Sequence, residues 1–432
     1  MTSNRYRHIS SPCIAVCFGL ILGTAALAAG LRPTFKPFHA DGIYAQAETV
    51  GWTVALPPGA TAARYSYTIK TNQKDVLETR SIEVPAGGTA TIEVKTDTPA
   101  MLYVTVKDAS TSAPVATLGA AVAPTELQPT APCPPDFDDF WGKKLADLRA
   151  VPTDPVLTPI KAAIPGVEQY IVTLNSLHSH VHAYLAKPNG EGKYPAIIVY
   201  QYAGVYALDA KDSANRASQG WLVLNVSSHD MPLDKAYGVP ENYQAIGNTD
   251  REHSYFLEMY LRDTRAYDYL TSRPDWDGKT LVIMGASMGG QQSLATAGLN
   301  PDRVTAIIVN EPAGADTNGE LHGRHAGYPN WPADNLRSMN TALYFDTVNF
   351  ARHIKSPTLM SMGFIDTTVT PSGVWTVFNQ IHAPKEAVPL IDSNHMHITP
   401  DKVIPMQRRT EEVLETLRLG KQFYPKESAK VD

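Results

Sequence analysis

The 432-residue sequence has few cysteines, and this scarcity limits what can hold the fold together. Cys13 and Cys17 lie within the first 28 residues, and Cys133 is the only other cysteine. If the first segment is removed, a lone cysteine cannot form an intramolecular disulfide, so the fold must depend on its cores. No cluster of cysteine and histidine has the spacing of metal ligands, and we predict no metal site.

The sequence also lacks a basic cluster. Its formal net charge is −6, with 19% charged and 43% hydrophobic residues, which is typical of a globular chain and not of a disordered one. A mildly acidic protein without a basic patch binds nucleic acid poorly, so we expect no nucleic-acid partner. The length is sufficient for two domains and a leader.

Residues 1–28 have the pattern of a secretory signal peptide. Arg5 and Arg7 give a positive start, an apolar stretch follows over 14–27, and Ala26-Leu27-Ala28 matches the cleavage pattern. A membrane anchor is the alternative, but the stretch is short for a span and rich in alanine and glycine. We therefore predict a secreted or periplasmic protein that has no membrane contact after cleavage.

Residues 29–123 are predicted to form an all-β, immunoglobulin-like sandwich. Short runs of alternating apolar and polar residues are separated by glycine, proline and asparagine, at 51–56, 64–69, 89–94 and 101–106. No catalytic constellation occurs in this region. Carbohydrate binding is one role for it, and a spacer or docking role is favoured.

Residues 124–432 are predicted to form an α/β domain that begins with a proline-rich linker at 124–135. Apolar strands alternate with helical patterns beyond it, for example the strand at 194–200 and the helix at 256–270. This alternation indicates a mostly parallel central sheet, which binds ligands at the carboxyl ends of its strands.

The stretch Gly285-Ala286-Ser287-Met288-Gly289 follows an apolar strand and precedes a helical pattern. A G-x-S-x-G sequence in that context is typical of a nucleophile elbow, where a side chain on either glycine would collide with the neighbouring strand or helix. The pattern alone recurs by chance in about one chain of this length in seven. A buried serine in a tight turn is the alternative for Ser287.

A serine nucleophile needs a histidine base held by a carboxylate, and α/β-hydrolases place them in the order Ser, Asp or Glu, His. Asp366 and His395 each follow a predicted strand, in that order. Asp392 is an alternative acid and His397 an alternative base. The backbone N–H groups of Met288 and Ala203, the latter favoured over Tyr202, are predicted to form the oxyanion hole.

The loop at 311–340 is long for a compact domain, so we expect it to be functional or flexible. Its Tyr328 and Trp331 are predicted to offer ring faces to a sugar, as is Tyr206. Packing within the fold is the alternative for all three.

The chain resembles the acetyl xylan esterases and cephalosporin-C deacetylases of the α/β-hydrolase superfamily, from about Cys133 to Leu419. The resemblance is carried by the runs at 134–141, 203–206, 247–252, 273–279, 285–290, 363–367 and 394–395. It implies the triad Ser287, Asp366 and His395, no cofactor, and often a homo-oligomer. This chain departs from the family where it has Gln201-Tyr202, Met288 and Asn394.

The sequence thus predicts a secreted serine ester hydrolase that removes acetyl groups from carbohydrate such as xylan. Another sugar-ester hydrolase or a peptidase on the same fold is the alternative enzyme, since fold does not choose between them. A non-catalytic carbohydrate-binding protein is a further alternative.

Overall fold

The computed structural model describes residues 32–395 and 402–426. The predicted signal peptide and His397 lie outside the described residues. Within the described ranges, no helix is both long and apolar enough to cross a membrane.

The N-terminal region consists of β-strands. Strands β1 to β8 span Thr34–Pro37, Ile43–Tyr44, Val50–Ala55, Ala63–Thr71, Asp75–Val84, Thr89–Val94, Ala100–Asp108 and Pro114–Val122. They form a three-stranded sheet, β1-β3-β6, and a five-stranded sheet, β2-β8-β7-β4-β5, in which only β2 and β8 pair in parallel. Alternate side chains such as Trp52, Tyr67 and Val104 share one apolar core, as period-two strands require. The four strands predicted from this alternation are confirmed.

The rest of the described chain builds one nine-stranded sheet with helices on both faces. Strands β9 to β17 span Val156–Ile160, Val167–Asn175, His180–Pro188, Tyr194–Tyr200, Leu222–Val226, Trp276–Ala286, Ala306–Asn310, Thr358–Gly363 and Lys385–Leu390. Helices α1 to α8 span Phe137–Ala150, Ala210–Ser218, Tyr255–Ser272, Met288–Leu299, Leu336–Ala342, Thr347–Ala351, Pro371–Gln380 and Ile404–Arg418. The order is β17-β16-β15-β14-β12-β13-β11-β10-β9, with β12 to β17 parallel and β9 to β11 antiparallel.

The two faces of this sheet are covered by different helices. Ala266 of α3, Leu294 of α4 and Trp375 of α7 belong to the apolar cluster on one face, while Ala214 of α2 and Leu414 of α8 belong to the cluster on the other. Strands buried on both faces read as continuous apolar runs, which is why β12 and β13 were predictable. The carboxyl ends of β14 to β17 lie side by side, and the loops that follow them form the candidate site.

Candidate active site

Ser287 lies between the end of β14 and the start of α4 in a rare backbone conformation, with φ 54° and ψ −123°. Such a conformation costs a non-glycine residue about 1–3 kcal/mol and persists only where its surroundings enforce it. Here the Ser287 N–H donates to the Asn310 carbonyl at 2.9 Å, and its carbonyl accepts from the N–H groups of Gln291 and Ala313, each at 3.0 Å. The turn therefore holds the partly exposed serine at the carboxyl edge of the sheet.

The two glycines of the turn are required by the space around it, as predicted. A Cβ on Gly285 would lie 2.4 Å from the carbonyl of Gly289, and a Cβ on Gly289 would lie 2.3 Å from the carbonyl oxygen of Tyr200. Both contacts are with backbone, which cannot move aside as a flexible side chain does. The crossing of strand and helix therefore excludes any side chain at these positions.

His395 connects Ser287 to a buried carboxylate. Its Nδ1 lies 2.8 Å from Oδ2 of Asp366, and its Nε2 lies 2.9 Å from Oγ of Ser287. A carboxylate only accepts, so Nδ1 carries the proton and Nε2 is free to accept from the serine hydroxyl. Asp366 is fully buried, and its Oδ1 accepts from the N–H groups of Thr368 and Val369, each at 2.8 Å. The structure thus brings the three residues together in a geometry suited to proton transfer.

The alternative acid lies elsewhere. Asp392 is more than half exposed and pairs with Lys402, with Oδ2 and Nζ 3.1 Å apart. It has no hydrogen bond to His395 among the described residues. The alternative base, His397, is outside the described ranges.

The sequence interpretation missed Glu311, a second buried carboxylate beside His395. It follows β15 directly, is 2% exposed, and has Oε2 3.8 Å from Nδ1 of His395. Burial lowers the pKa of His395, but the hydrogen bond and charge of Asp366 and the charge of Glu311 outweigh it and raise that pKa above its ordinary value. Glu311 is not part of a recognisable sequence motif. Its position after a parallel strand is the same signal that identified Asp366.

Glu311, Asp366 and His395 also form the one group of potential metal ligands found in the described part of the chain, with ligand atoms within 4.8 Å of one another. Both Asp366 oxygens already accept hydrogen bonds, and Nδ1 of His395 carries a proton toward one of them. In this arrangement the Nδ1 proton of His395 is hydrogen-bonded to the Asp366 carboxylate.

Two backbone N–H groups near Ser287 are candidates for binding an oxyanion. Met288 is the first residue of α4, so its N–H has no acceptor within that helix. Neither this N–H nor that of Ala203 has a hydrogen-bond acceptor among the described residues. Ala203 lies in the loop after β12, next to Gly204, whose φ of 119° places the chain in a conformation that favours glycine.

A buried polar network fixes that loop on both sides of Gly204. The Gly204 N–H donates to the Tyr243 hydroxyl at 3.2 Å, and its carbonyl lies 3.1 Å from Nε2 of His229. The carbonyl only accepts, so Nε2 carries the proton and Nδ1 accepts from the Tyr255 hydroxyl at 2.7 Å. Burial lowers the pKa of His229 to about 4, so the ring is neutral at pH 7. The sequence interpretation missed all three of these side chains.

Met288 shares this network through its side chain, which is fully buried. The hydroxyls of Tyr243 and Tyr328 each lie 3.3 Å from its sulfur and 2.9 Å from each other. Tyr328 is one of the predicted sugar-binding residues, and its hydroxyl therefore contacts the residue that follows Ser287.

The other two predicted aromatic contacts differ from each other. Trp331 is 7% exposed and packs against Phe345, with ring centroids 6.4 Å apart and planes at 5°. Its face is covered, which corrects the expectation that it is open to a sugar. Tyr206 stacks on the exposed Tyr202 at 4.7 Å, and both line a cleft of about 790 Å³ together with Ala286, the neighbour of Ser287.

The chain is an α/β-hydrolase-type protein. Three features define it as one: the mostly parallel sheet, the strained serine at a strand-to-helix turn, and the serine–histidine–aspartate arrangement. The family model described as acetyl xylan esterase (AXE1) matches residues 125–316 and 329–403. Because these segments are more than half of the chain, it belongs to the acetyl xylan esterase family, whose members are serine carboxylic ester hydrolases.

Individual proteins are similar to this chain in sequence or in fold. An acetyl esterase, Axe7A of Xylanibacter ruminicola, is 34% identical over 285 residues, which are 62% of this chain and 64% of that protein. The chain thus matches slightly less than two thirds of that relative's length. The acetyl xylan esterase of Paenibacillus sp. R4 is similar in structure, with a TM-score of 0.58, 23% identity and coverage of 67% of this chain and 98% of that one. Acetyl xylan esterase 1 of Thermoanaerobacterium sp. JW/SL YS485 is also similar in structure, with a TM-score of 0.57, 24% identity and coverage of 67% of this chain and 97% of that one.

Proposed function

We propose that the protein is a secreted serine esterase that removes acetyl groups from carbohydrate, with Ser287, His395 and Asp366 as its triad. The observation that carries this proposal is the continuous relay from Ser287 Oγ through His395 to Asp366, with both links under 3 Å. All three residues lie within the segments that match the family. The names of the relatives support an acetylated carbohydrate such as xylan as the substrate.

In the proposed first half-reaction, Ser287 Oγ attacks the carbonyl carbon of the acetyl ester while Nε2 of His395 takes its proton. The oxyanion that forms accepts hydrogen bonds from the N–H groups of Met288 and Ala203. The bond to the sugar oxygen then breaks, and Nε2 returns the proton to that oxygen. The sugar leaves as a free alcohol, and the acetyl group remains on Ser287.

In the second half-reaction, water attacks the acetyl carbon and gives a proton to Nε2. Acetic acid departs as the bond to Ser287 Oγ breaks, Nε2 returns its proton to the serine, and the acid then ionises to acetate in water. Asp366 orients the ring and stabilises the imidazolium that forms in both halves. Glu311 adds a second negative charge near Nδ1, which favours the same imidazolium.

The remaining features of the proposal concern substrate and location. The stacked pair Tyr202 and Tyr206 supplies an aromatic surface beside the nucleophile turn, suited to a sugar ring. The leader predicted at 1–28 supports export. The two N-terminal sheets around one core support an immunoglobulin-like unit over 29–123, followed by the catalytic unit over 124–432. A homo-oligomer is also part of the proposal, and light scattering tests it by measuring the molar mass in solution.

The proposal is tested by measuring acetate released from acetylated xylan by the wild type and by Ser287→Ala. We expect Ser287→Ala to lose at least about 10⁴-fold in kcat, as triad serines do. Ser218→Ala is the matched control, because Ser218 is exposed at the end of α2, and it should keep full activity. A fully active Ser287→Ala refutes the triad. Wild-type hydrolysis of peptide amides or of other sugar esters, without acetate release from xylan, refutes the substrate class.

A further inference from the structure

The loop that carries Asp366 is held from outside the catalytic sheet. Nε2 of Gln73 donates a hydrogen bond to the main-chain carbonyl of Asp366 at 2.6 Å, although the two residues are 293 positions apart. Gln73 lies in the turn between β4 and β5, in the N-terminal sheets. This is a direct contact between the N-terminal region and the proposed triad.

The turn that presents Gln73 is rigidly built. Asn72 and Gln73 both have left-handed φ angles, 48° and 59°. Asn72 is hydrogen-bonded twice to Met101 of β7, the strand beside β4 in the sheet, because its N–H donates to the Met101 carbonyl at 2.7 Å and its Oδ1 accepts from the Met101 N–H at 3.0 Å. The turn therefore has a defined direction and presents the Gln73 amide in a fixed place.

The same N-terminal strands pack beneath the Asp366 loop. A Cβ on Gly119 of β8 would lie 2.6 Å from Cβ of Phe364, so the strand approaches the loop as closely as its backbone allows. Met101 and Ala121 share an apolar cluster with Phe364. A contact of this kind fixes two regions against each other, which a flexible spacer does not do.

The β4–β5 turn also contacts residues 317–328, which lie between the two segments that match the family model. Lys74 forms an ion pair with Glu320 and donates to its carbonyl at 3.0 Å, and the His325 N–H donates to the Asn72 carbonyl at 3.1 Å. Residues 32–124 are also outside the matched segments. The turn thus joins two regions that the family model does not match, at the edge of the site.

We propose that Gln73 is a positioning residue for Asp366, and that the N-terminal sheets are a working part of the active site. This inference rests on the proposed esterase function. Thr368 and Val369 fix the Asp366 carboxylate, while Gln73 fixes its main-chain carbonyl. The carboxylate can hold the His395 ring in place only if the main chain that bears it is also fixed. Gln73 therefore acts on the reaction through Asp366 and His395.

The test compares the wild type with Gln73→Met, which has a side chain of similar length and no donor. We expect kcat for an aryl acetate to fall about tenfold, the size of one lost hydrogen bond that positions a catalytic group, with KM unchanged. Asp366 raises the pKa of His395, so a loosened Asp366 also moves the acid limb of kcat/KM to lower pH. Lys74→Ala is the matched control, because it breaks a contact of the same turn without touching Asp366, and it should leave kcat and this limb unchanged.

A readout that needs no turnover separates this inference from the proposed function. The Nδ1 proton of His395, shared with Asp366, should give a far-downfield proton NMR signal that disappears in His395→Ala. We expect the signal to shift or broaden in Gln73→Met and to stay unchanged in Lys74→Ala. An unchanged signal in Gln73→Met overturns the positioning role. The role is also overturned if kcat falls in both Gln73→Met and Lys74→Ala in proportion to the fraction of each variant that is folded. An inactive wild type with the signal displaced in Gln73→Met refutes the esterase proposal alone.

Discussion

His229 is the buried residue whose replacement gives the most quantitative test of the oxyanion loop. Its ring is fully buried, donates to the Gly204 carbonyl and accepts from Tyr255. Burial lowers its pKa to about 4, whereas an unfolded histidine titrates near 6.5. The folded protein therefore resists a proton that the unfolded chain accepts.

The sign and size of the effect follow from this difference. Above about pH 6.5 the ring is neutral in both states and costs nothing. As the pH falls from about 6.5 to 4, only the unfolded chain binds the proton, so the free energy of unfolding decreases. The pKa of His229 is about 4 in the folded protein and about 6.5 in the unfolded chain. This difference corresponds to a loss of about 3 kcal/mol in the free energy of unfolding over that pH range.

The assay is urea unfolding at pH 7 and pH 4 for the wild type, His229→Gln and His229→Leu. Glutamine keeps a donor for the Gly204 carbonyl but does not titrate. Between pH 7 and pH 4, the free energy of unfolding of His229→Gln should therefore decrease by about 3 kcal/mol less than that of the wild type. Leucine leaves the carbonyl unpaired and should lower kcat by about 10- to 100-fold at pH 7. Equal pH dependence of the wild type and His229→Gln, or full activity of His229→Leu, refutes the reasoning.

Three further predictions concern the residues around the nucleophile. Glu311→Gln removes a charge that raises the pKa of His395, so the acid limb of kcat/KM should move to lower pH. Gly285→Ala places a Cβ 2.4 Å from the Gly289 backbone, and it should lower the free energy of unfolding by about 2 kcal/mol or more and the activity at least tenfold. Ser287→Gly relieves the strained backbone and should raise the free energy of unfolding by about 1 kcal/mol while abolishing activity.

These predictions have distinct controls and contrary outcomes. An acid limb that stays in place in Glu311→Gln, or moves to higher pH, contradicts the role given to that charge. Gly142→Ala is the control for Gly285→Ala, because nothing lies within 4 Å of its added Cβ on α1, and it should stabilise the protein by about 0.5–1 kcal/mol. A less stable Ser287→Gly contradicts the strain argument. Urea unfolding and aryl acetate hydrolysis measure all of these.

The parallel strands and the nucleophile turn were predictable because their signals are local. Both faces of β12 are buried, which requires a continuous apolar run, and the G-x-S-x-G spacing follows from backbone contacts within a few residues of Ser287. Asp366 and His395 were identified by their position after strands, since strands of a parallel sheet end at one edge. The family resemblance is confirmed by the match over residues 125–316 and 329–403.

The other features depend on contacts between distant segments and leave no local signal. β5 was missed because most of its side chains are exposed, so its sequence lacks a buried alternation. Glu311 approaches His395 only because β15 lies beside β16 in the sheet order. His229 and Gln73 each act through a carbonyl far along the chain. Trp331 shows the converse, because an aromatic residue in a long loop turned out to be core.

The central claim is that Ser287 is the nucleophile, activated by His395. A fluorophosphonate probe measures this directly, because it reacts with activated serines. Mass spectrometry of the digested protein should find the probe on the peptide that contains Ser287, with no labelling in Ser287→Ala and much slower labelling in His395→Ala. Labelling at another residue, or at an unchanged rate in His395→Ala, would contradict the account.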